Sequence, residues 1–171
     1  MKHISMGGHE SATTQTTTWL SPPHILAALG PFDFDPCAAP APRPGDTAHQ
    51  MNAEADGDGL ALGWVGRVWL NPPYTSASLG KWLGRLADHG RGTALIFART
   101  DTAAFQAQVF GRATAVLFLA GRLHFYTATG ERGPGNAGAP SVLCAYGRDD
   151  AARLKASGIK GTFITLKDTE Q

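Results

Sequence analysis

From Arg67 onward, short apolar runs alternate with segments whose apolar residues recur at helical spacing. Arg67 to Leu70, Thr93 to Ala98, Ala115 to Leu119, Ser141 to Tyr146 and Thr162 to Leu166 read as strands. Leu79 to His89 carries Leu79, Trp82, Leu83 and Leu86 on one helical face and stops at Gly90. Thr102 to Gly111 and Asp150 to Ala156 complete the helical set. Alternation of this kind excludes an all-helical bundle and an all-β sandwich. It predicts an α/β sheet, parallel in its middle, with the last strands forming an antiparallel edge.

The first part of the chain is less regular. Met1 to Thr18 is dense in Thr, Ser and Gly and reads as a loose arm, which leaves residues 19–171 as one domain. Ser21-Pro22-Pro23 looks like a helix start, with Ser21 as cap and His24 to Leu29 as the helix before Gly30-Pro31. Phe32-Asp33-Phe34-Asp35 alternates as a short strand, sending Phe32 and Phe34 to one face. Ala38 to Gly45 holds three prolines and is expected to be irregular, and Ala48 to Ala55 is expected to form a short helix. The stretch between Asp35 and Arg67 holds about one βαβ unit, so the sheet should be trimmed there.

Composition narrows the function classes. No apolar run approaches a membrane span, and the amino terminus is too polar for a signal peptide. A soluble, cytoplasmic protein is the expectation. Cys37 and Cys144 are far apart and lack metal-ligand spacing, and the six histidines form no cluster, so free thiols and no metal site are expected. Residues 1–60 carry two basic side chains against seven acidic ones, whereas the remaining 111 carry thirteen against seven. An acidic half suits a cationic ligand, and an arginine-rich half suits a phosphate backbone.

Asn71-Pro72-Pro73-Tyr74 follows the Arg67–Leu70 strand directly. The tetrad has the chemistry to activate a planar amino group, whose nitrogen lone pair is delocalised and poorly nucleophilic. The Asn71 side-chain oxygen and the Pro72 carbonyl would accept its two N–H hydrogens and draw the nitrogen towards a tetrahedral geometry. Proline brings no competing backbone donor. Tyr74 would stack on the flat face of the acceptor. In open α/β sheets ligands bind beyond the carboxyl ends of strands, and Asp35-Pro36 ends another strand. Both are therefore read as parts of one site.

The tetrad resembles the catalytic motif of S-adenosylmethionine-dependent amino-methyltransferases. The full ordered set is more specific: Trp19-x-Ser-Pro-Pro, Phe32-Asp-x-Asp35-Pro-Cys-Ala, Asp58-Gly-Leu60, Trp69-Leu-Asn-Pro-Pro-Tyr74, Ala98-Arg-Thr-Asp-Thr102, Gly121-Arg-Leu-x-Phe125 and Pro140-Ser-Val-Leu143. Over residues 19–147 this resembles the small phage-type DNA adenine-N6 methyltransferases. The resemblance implies a trimmed class I methyltransferase sheet, Rossmann-like and mostly parallel with an antiparallel edge. It implies methyl transfer from S-adenosylmethionine to N6 of adenine in DNA, in a bacterial host cytoplasm if the chain is phage-encoded.

Carried over by residue, the resemblance makes Asn71, Pro72, Pro73 and Tyr74 the catalytic set. Asp35, Pro36, Cys37 and Ala38 resemble the first cofactor motif. Asp58 and Leu60 resemble the acidic element that receives the cofactor adenine, and Trp19, Ser21 and Pro22 the segment closing over its methionine end. Tyr74, Arg99 and Arg122 fall on the substrate side. The tetrad alone is shared with enzymes acting on RNA and on protein glutamine, which keeps those substrates open, as it does a catalytically silent nucleic-acid-binding module on the same fold.

Two departures from the family pattern stand out. Ala38-Ala39-Pro40 occupies the place of the usual glycine-rich loop, and no acidic residue ends a recognisable second strand. No segment is large enough for a separate target-recognition domain. Specificity would then come from Thr75 to Gly80 and Gly130 to Ala139, loops expected to make few contacts and to act as lids.

Overall fold

The structure is a computed structural model, which describes residues 20–39, 49–50, 58–73, 76–127, 129–133 and 135–168, with backbone alone at 49–50 and 76–77. The expected arm at Met1–Thr18 lies outside the described residues. The elements in chain order are α1 (Pro23–Leu29), β1 (Phe34–Asp35), β2 (His49–Gln50), β3 (Val68–Leu70), α2 (Ser76–His89) and β4 (Gly92–Phe97). A π-helix (Phe105–Phe110), β5 (Ala115–Leu119), β6 (Ser141–Tyr146), α3 (Arg148–Ala156) and β7 (Gly161–Thr165) follow.

The strands form one mixed sheet in the order β2-β1-β3-β4-β6-β5-β7. β2, β1, β3 and β4 run parallel, whereas β6 is antiparallel to both β4 and β5, and β7 is antiparallel to β5. The α/β class thus holds, but the antiparallel part is more than an edge. β6 is inserted between two strands that share a direction, so half of the sheet alternates. The cause is local: Pro140 and the glycine-rich stretch before it return the chain without a crossover helix.

Two apolar layers cover the sheet. On one face α1 and α3 bring Ile25, Leu29, Ala151 and Leu154 against Trp69, Leu95, Leu117 and Leu143. On the other, α2 and the π-helix bring Trp82, Leu83, Leu86, Phe105 and Val109 against Val68, Leu70, Ala94 and Ile96. Neighbouring strand residues alternate between the two clusters, as the two-residue period of a strand requires.

Several local expectations need correction. Phe32 packs on Trp69 (ring centroids 5.3 Å apart), whereas Phe34 meets Trp64 in the opposite cluster. The strand begins only at Phe34, because the Asp33 carboxylate turns aside to accept the Arg67 backbone N–H at 2.7 Å. Gly66, at φ +59, permits this approach, since a Cβ there would collide with Asp33. His49–Gln50 is a short strand parallel to β1 rather than part of a helix, and the other residues of that expected helix, 48 and 51–55, lie outside the described residues. The helix expected over Thr102–Gly111 is wound as a π-helix, with Gly111 N–H reaching Gln106 O at 3.1 Å. The wider turn brings Phe105 and Phe110 together at 4.9 Å, a spacing of five residues that an α-helix would not align.

Both proposed lid loops are also corrected. Ser76 to Gly80 is the first part of α2, and Thr75 lies outside the described residues. The stretch after Gly130 is tied back by Gly133 N–H to Phe125 O (2.8 Å) and Ala137 N–H to Leu123 O (2.6 Å), and Ala137 is buried. Tyr126 forms single antiparallel bridges to both Leu20 and Arg132.

Candidate functional site

The order of the strands creates the site. After β1 the chain first goes outward to β2 and then returns to the other side of β1 as β3. The direction of winding reverses between β1 and β3, and a crevice opens beyond the carboxyl ends of such a pair. Asp35 ends β1 and Asn71 follows β3. Phe34 is level with Val68 across this pair, so Asn71 stands two residues further along than Asp35. Strand spacing and rise put their Cα atoms about 8 Å apart.

Asn71 is partly buried, and its side-chain Nδ2 donates to Ser21 Oγ at 3.1 Å. The same oxygen accepts the indole N–H of Trp69 at 3.0 Å. Ser21 is therefore not a helix cap: Pro22 holds that position, without any side-chain cap, and its carbonyl accepts the Ile25 N–H at 3.0 Å. The leading Ser-Pro-Pro serves two purposes, since Pro22 and Pro23 start α1 while Ser21 reaches the tetrad strand. Pro72 is buried and Pro73 exposed. Tyr74 and Trp19 lie outside the described residues.

At the end of β1, Asp35 Oδ1 accepts the Cys37 backbone N–H at 3.0 Å. This turns the chain sharply, burying Pro36 and Ala38. The Asp58 segment packs directly on that turn, for a Cβ on Gly59 would collide with the Pro36 carbonyl oxygen. Asp58 Oδ1 accepts the Leu60 N–H at 2.9 Å, and Trp64 Nε1 donates to Gly59 O at 2.8 Å. Trp64 in turn stacks on Trp82 of α2, and Leu60 and Cys37 lie against the same apolar cluster. Burial pushes the Cys37 thiol well above its usual range, and the carboxylates of Asp35 and Asp58 push it further. Two acidic residues far apart in sequence thus share one neighbourhood. Both cysteines are free thiols.

The substrate-side arginines sit at the same edge. Arg99 follows β4, is exposed, and places its guanidinium 5.8 Å from the Phe97 ring centre. Arg122 follows β5 and is exposed. These residues flank the Asn71 position from the β4–β5 side, whereas Asp35 and Asp58 flank it from the β1 side.

A groove of about 400 Å³ opens elsewhere, between α1 and the turn into β7, lined by residues such as His24, Ile25, Leu119, Leu123 and Lys160. None of the predicted site residues lines it. Among the described residues, no group of three or more His, Cys, Asp or Glu is arranged to hold a metal ion. No helix among them is long and apolar enough to cross a membrane. No family model, no curated protein and no solved structure matches this chain.

Sequence reasoning missed the bond from Asn71 to Ser21 and the role of Trp69 in it. Both lie in the motifs it singled out, but a hydroxyl two residues before a helix carries no signal that distinguishes a cap from a tertiary contact. The resemblance had already assigned Asp35 and Asp58 to one site; what it did not give is the direct packing of Gly59 on the Pro36 carbonyl, whose only sequence trace is the glycine itself.

Proposed function

We propose that this protein transfers a methyl group from S-adenosylmethionine to the exocyclic N6 of adenine in DNA. The observation that carries the proposal is the position of Asn71. It stands beyond β3, across the winding reversal from Asp35, with its amide nitrogen bonded to Ser21. In this reading the Asn71 side-chain oxygen is the acceptor end. The acceptor end is what an amino group needs as it becomes tetrahedral.

The rest of the site supports the same reading. Asp35 and Asp58, close enough to act jointly on Cys37, suit a ligand that carries ammonium and sulfonium charge. S-adenosylmethionine would supply the activated methyl group. The chain's own task is to orient the acceptor nitrogen and to exclude water around it. The arginines after β4 and β5 suit a phosphate backbone, and a target base would leave the helix stack at a cost of a few kcal/mol. Tyr74 stacking would offset about 1–3 kcal/mol of that.

One observation favours a second reading, a silent nucleic-acid-binding module on this fold. Asp35 Oδ1 caps its own turn through the Cys37 N–H, and alanines stand where glycines would let a ligand approach. The decisive experiment is long-read sequencing of DNA from cells expressing the protein, scored for adenine modification. Labelled methyl transfer compared across DNA, RNA and protein would separate the alternative acceptors. Calorimetry without S-adenosylmethionine binding at millimolar ligand would favour the silent module.

A further inference from the structure

β7 lies at one end of the strand order, and among the described residues no strand pairs with its outer edge. The direction of its backbone groups follows from the bonds at its two ends. Ala120 N–H reaches Lys160 O at 3.0 Å, and Leu166 N–H reaches Thr114 O at 2.9 Å. Lys167 N–H turns to that same oxygen at 3.2 Å, which ends the ladder at Leu166. Residues that bond to a given neighbour alternate along an antiparallel strand. Thr162 and Ile164 therefore bond inward to β5, and Phe163 and Thr165 turn their N–H and C=O groups outward. The strand reads Gly-Thr-Phe-Ile-Thr, with neither a charge nor a proline. Ile164 is 41 % exposed, and Thr162 and Thr165 are exposed beside it. Such an edge lacks the devices that usually keep sheet edges from pairing.

We propose that two copies of this chain join through β7, antiparallel and edge to edge, about a two-fold axis at Ile164. A two-fold axis sets a surface against itself, and the register about Ile164 suits that arrangement. The two Ile164 side chains then meet across the axis, and Thr162 lies opposite Leu166. Phe163 exchanges both main-chain bonds with Thr165 of the second copy, once on each side of the axis. Lys160 and Asp168, both exposed, stand just outside the ladder at its two ends. The axis brings Lys160 of one copy level with Asp168 of the other, so opposite charges meet at each end of the contact. An axis at Phe163 would set Lys160 against Leu166 and Ile164 against Thr162, with no such charge pairing. The axis at Ile164 runs perpendicular to the sheet and points the Asn71 ends of the two copies in opposite directions. Each copy keeps its own site, and the inference does not rest on the methyl-transfer reading.

One short strand per copy makes a contact below the standard interface size, so a Kd on the order of 100 µM is expected. Sedimentation equilibrium of the full chain, from about 10 µM to 1 mM to bracket that value, should show monomer and dimer in exchange. Thr165→Pro removes an outward N–H that β5 does not use, and an edge strand tolerates proline there. By symmetry two main-chain bonds are lost, and Kd should rise about tenfold. Should that variant lose its native circular dichroism, Ile164→Lys, which sets like charges together at the axis, takes its place with the same expectation. Lys160→Asp, which opposes Asp168 with a second acid, should weaken the dimer. Adding Asp168→Lys should restore it, a rescue that another register or another surface would not give. A monomer at every concentration, a dimer indifferent to the edge substitution, or a charge exchange without rescue would overturn the inference.

Discussion

Arg67 Nε donates to Asp150 Oδ1 at 2.8 Å, with both side chains almost wholly out of solvent. The same guanidinium donates to the Leu29 and Pro31 carbonyls at 2.7 and 2.8 Å and lies 4.2 Å from the centre of the Phe32 ring. Thr93 Oγ1 adds a bond to Asp150 Oδ1 at 3.0 Å. The cluster joins α1, β3, β4 and α3 at the end of the sheet opposite Asn71. Burial pushes the Asp150 carboxyl upward, partly opposed by Arg67.

Removing one partner strands a buried charge, so Arg67→Met or Asp150→Leu alone should cost about 3–5 kcal/mol of stability. The double replacement should cost less than either single one, because neither charge is left behind. Urea unfolding of all three variants tests this. Additive losses would mean the pair is not coupled.

Asn71→Ala should remove turnover and leave cofactor affinity nearly unchanged. The missing acceptor serves the transition state, at about 2.7–4 kcal/mol of barrier. Methylation at the normal rate would reduce the tetrad to a strand-ending turn.

Asp35→Ala should do the reverse, lowering S-adenosylmethionine affinity by roughly 1.5–3 kcal/mol before kcat changes. Calorimetry on the folded variant decides the matter. An unaltered Kd would assign Asp35 to the Cys37 turn alone.

How much of this was legible beforehand depends on the length of each element. β4, β5 and β6 announce themselves through five or six apolar residues, and the structure places them within one residue of expectation. β1 and β2 are two residues each, too short for a periodic pattern, and their placement is set by pairing with each other and with β3. Helical spacing identified Phe105 to Phe110 as helix but carries no information on the wider π turn. At the site, Asn71 and Asp35 were legible because they end strands. The bond from Asn71 to Ser21 was not, because it depends on the packing of Trp69 beneath it.

Cys37 should resist alkylation. Its thiol is pushed up chiefly by burial and secondarily by Asp35 and Asp58, so the thiolate is scarce at pH 8–9, near the usual thiol range of about 8.5. Iodoacetamide should react more slowly with it than with a free cysteine peptide. Asp58→Asn should speed the reaction only modestly, since burial remains. Peptide-level mass spectrometry over a pH series measures both rates, and a Cys37 rate equal to that of the peptide would contradict the packing described around it.

Tyr74 separates a nucleobase acceptor from a glutamine one. Tyr74→Phe keeps the ring and should retain most activity on DNA, whereas Tyr74→Ala should lose about 1–3 kcal/mol of transition-state stabilisation. Kinetics and melting temperature are to be measured side by side for the two. Equal, severe losses of activity would implicate the hydroxyl and sink the stacking idea.

The pairing of Leu20 with Tyr126 has a consequence for how the protein can be made. Leu20 precedes every regular element of the described chain, and Tyr126 follows β5. Until the ribosome has delivered the stretch beyond β5, the residue beside Ser21 has no strand to lie against. A chain released early would carry Asn71 in full and still lack the pairing that holds the residue next to its Ser21 partner. The surroundings of the Ser21–Asn71 contact are therefore completed late in synthesis, by a segment more than a hundred residues downstream of Leu20.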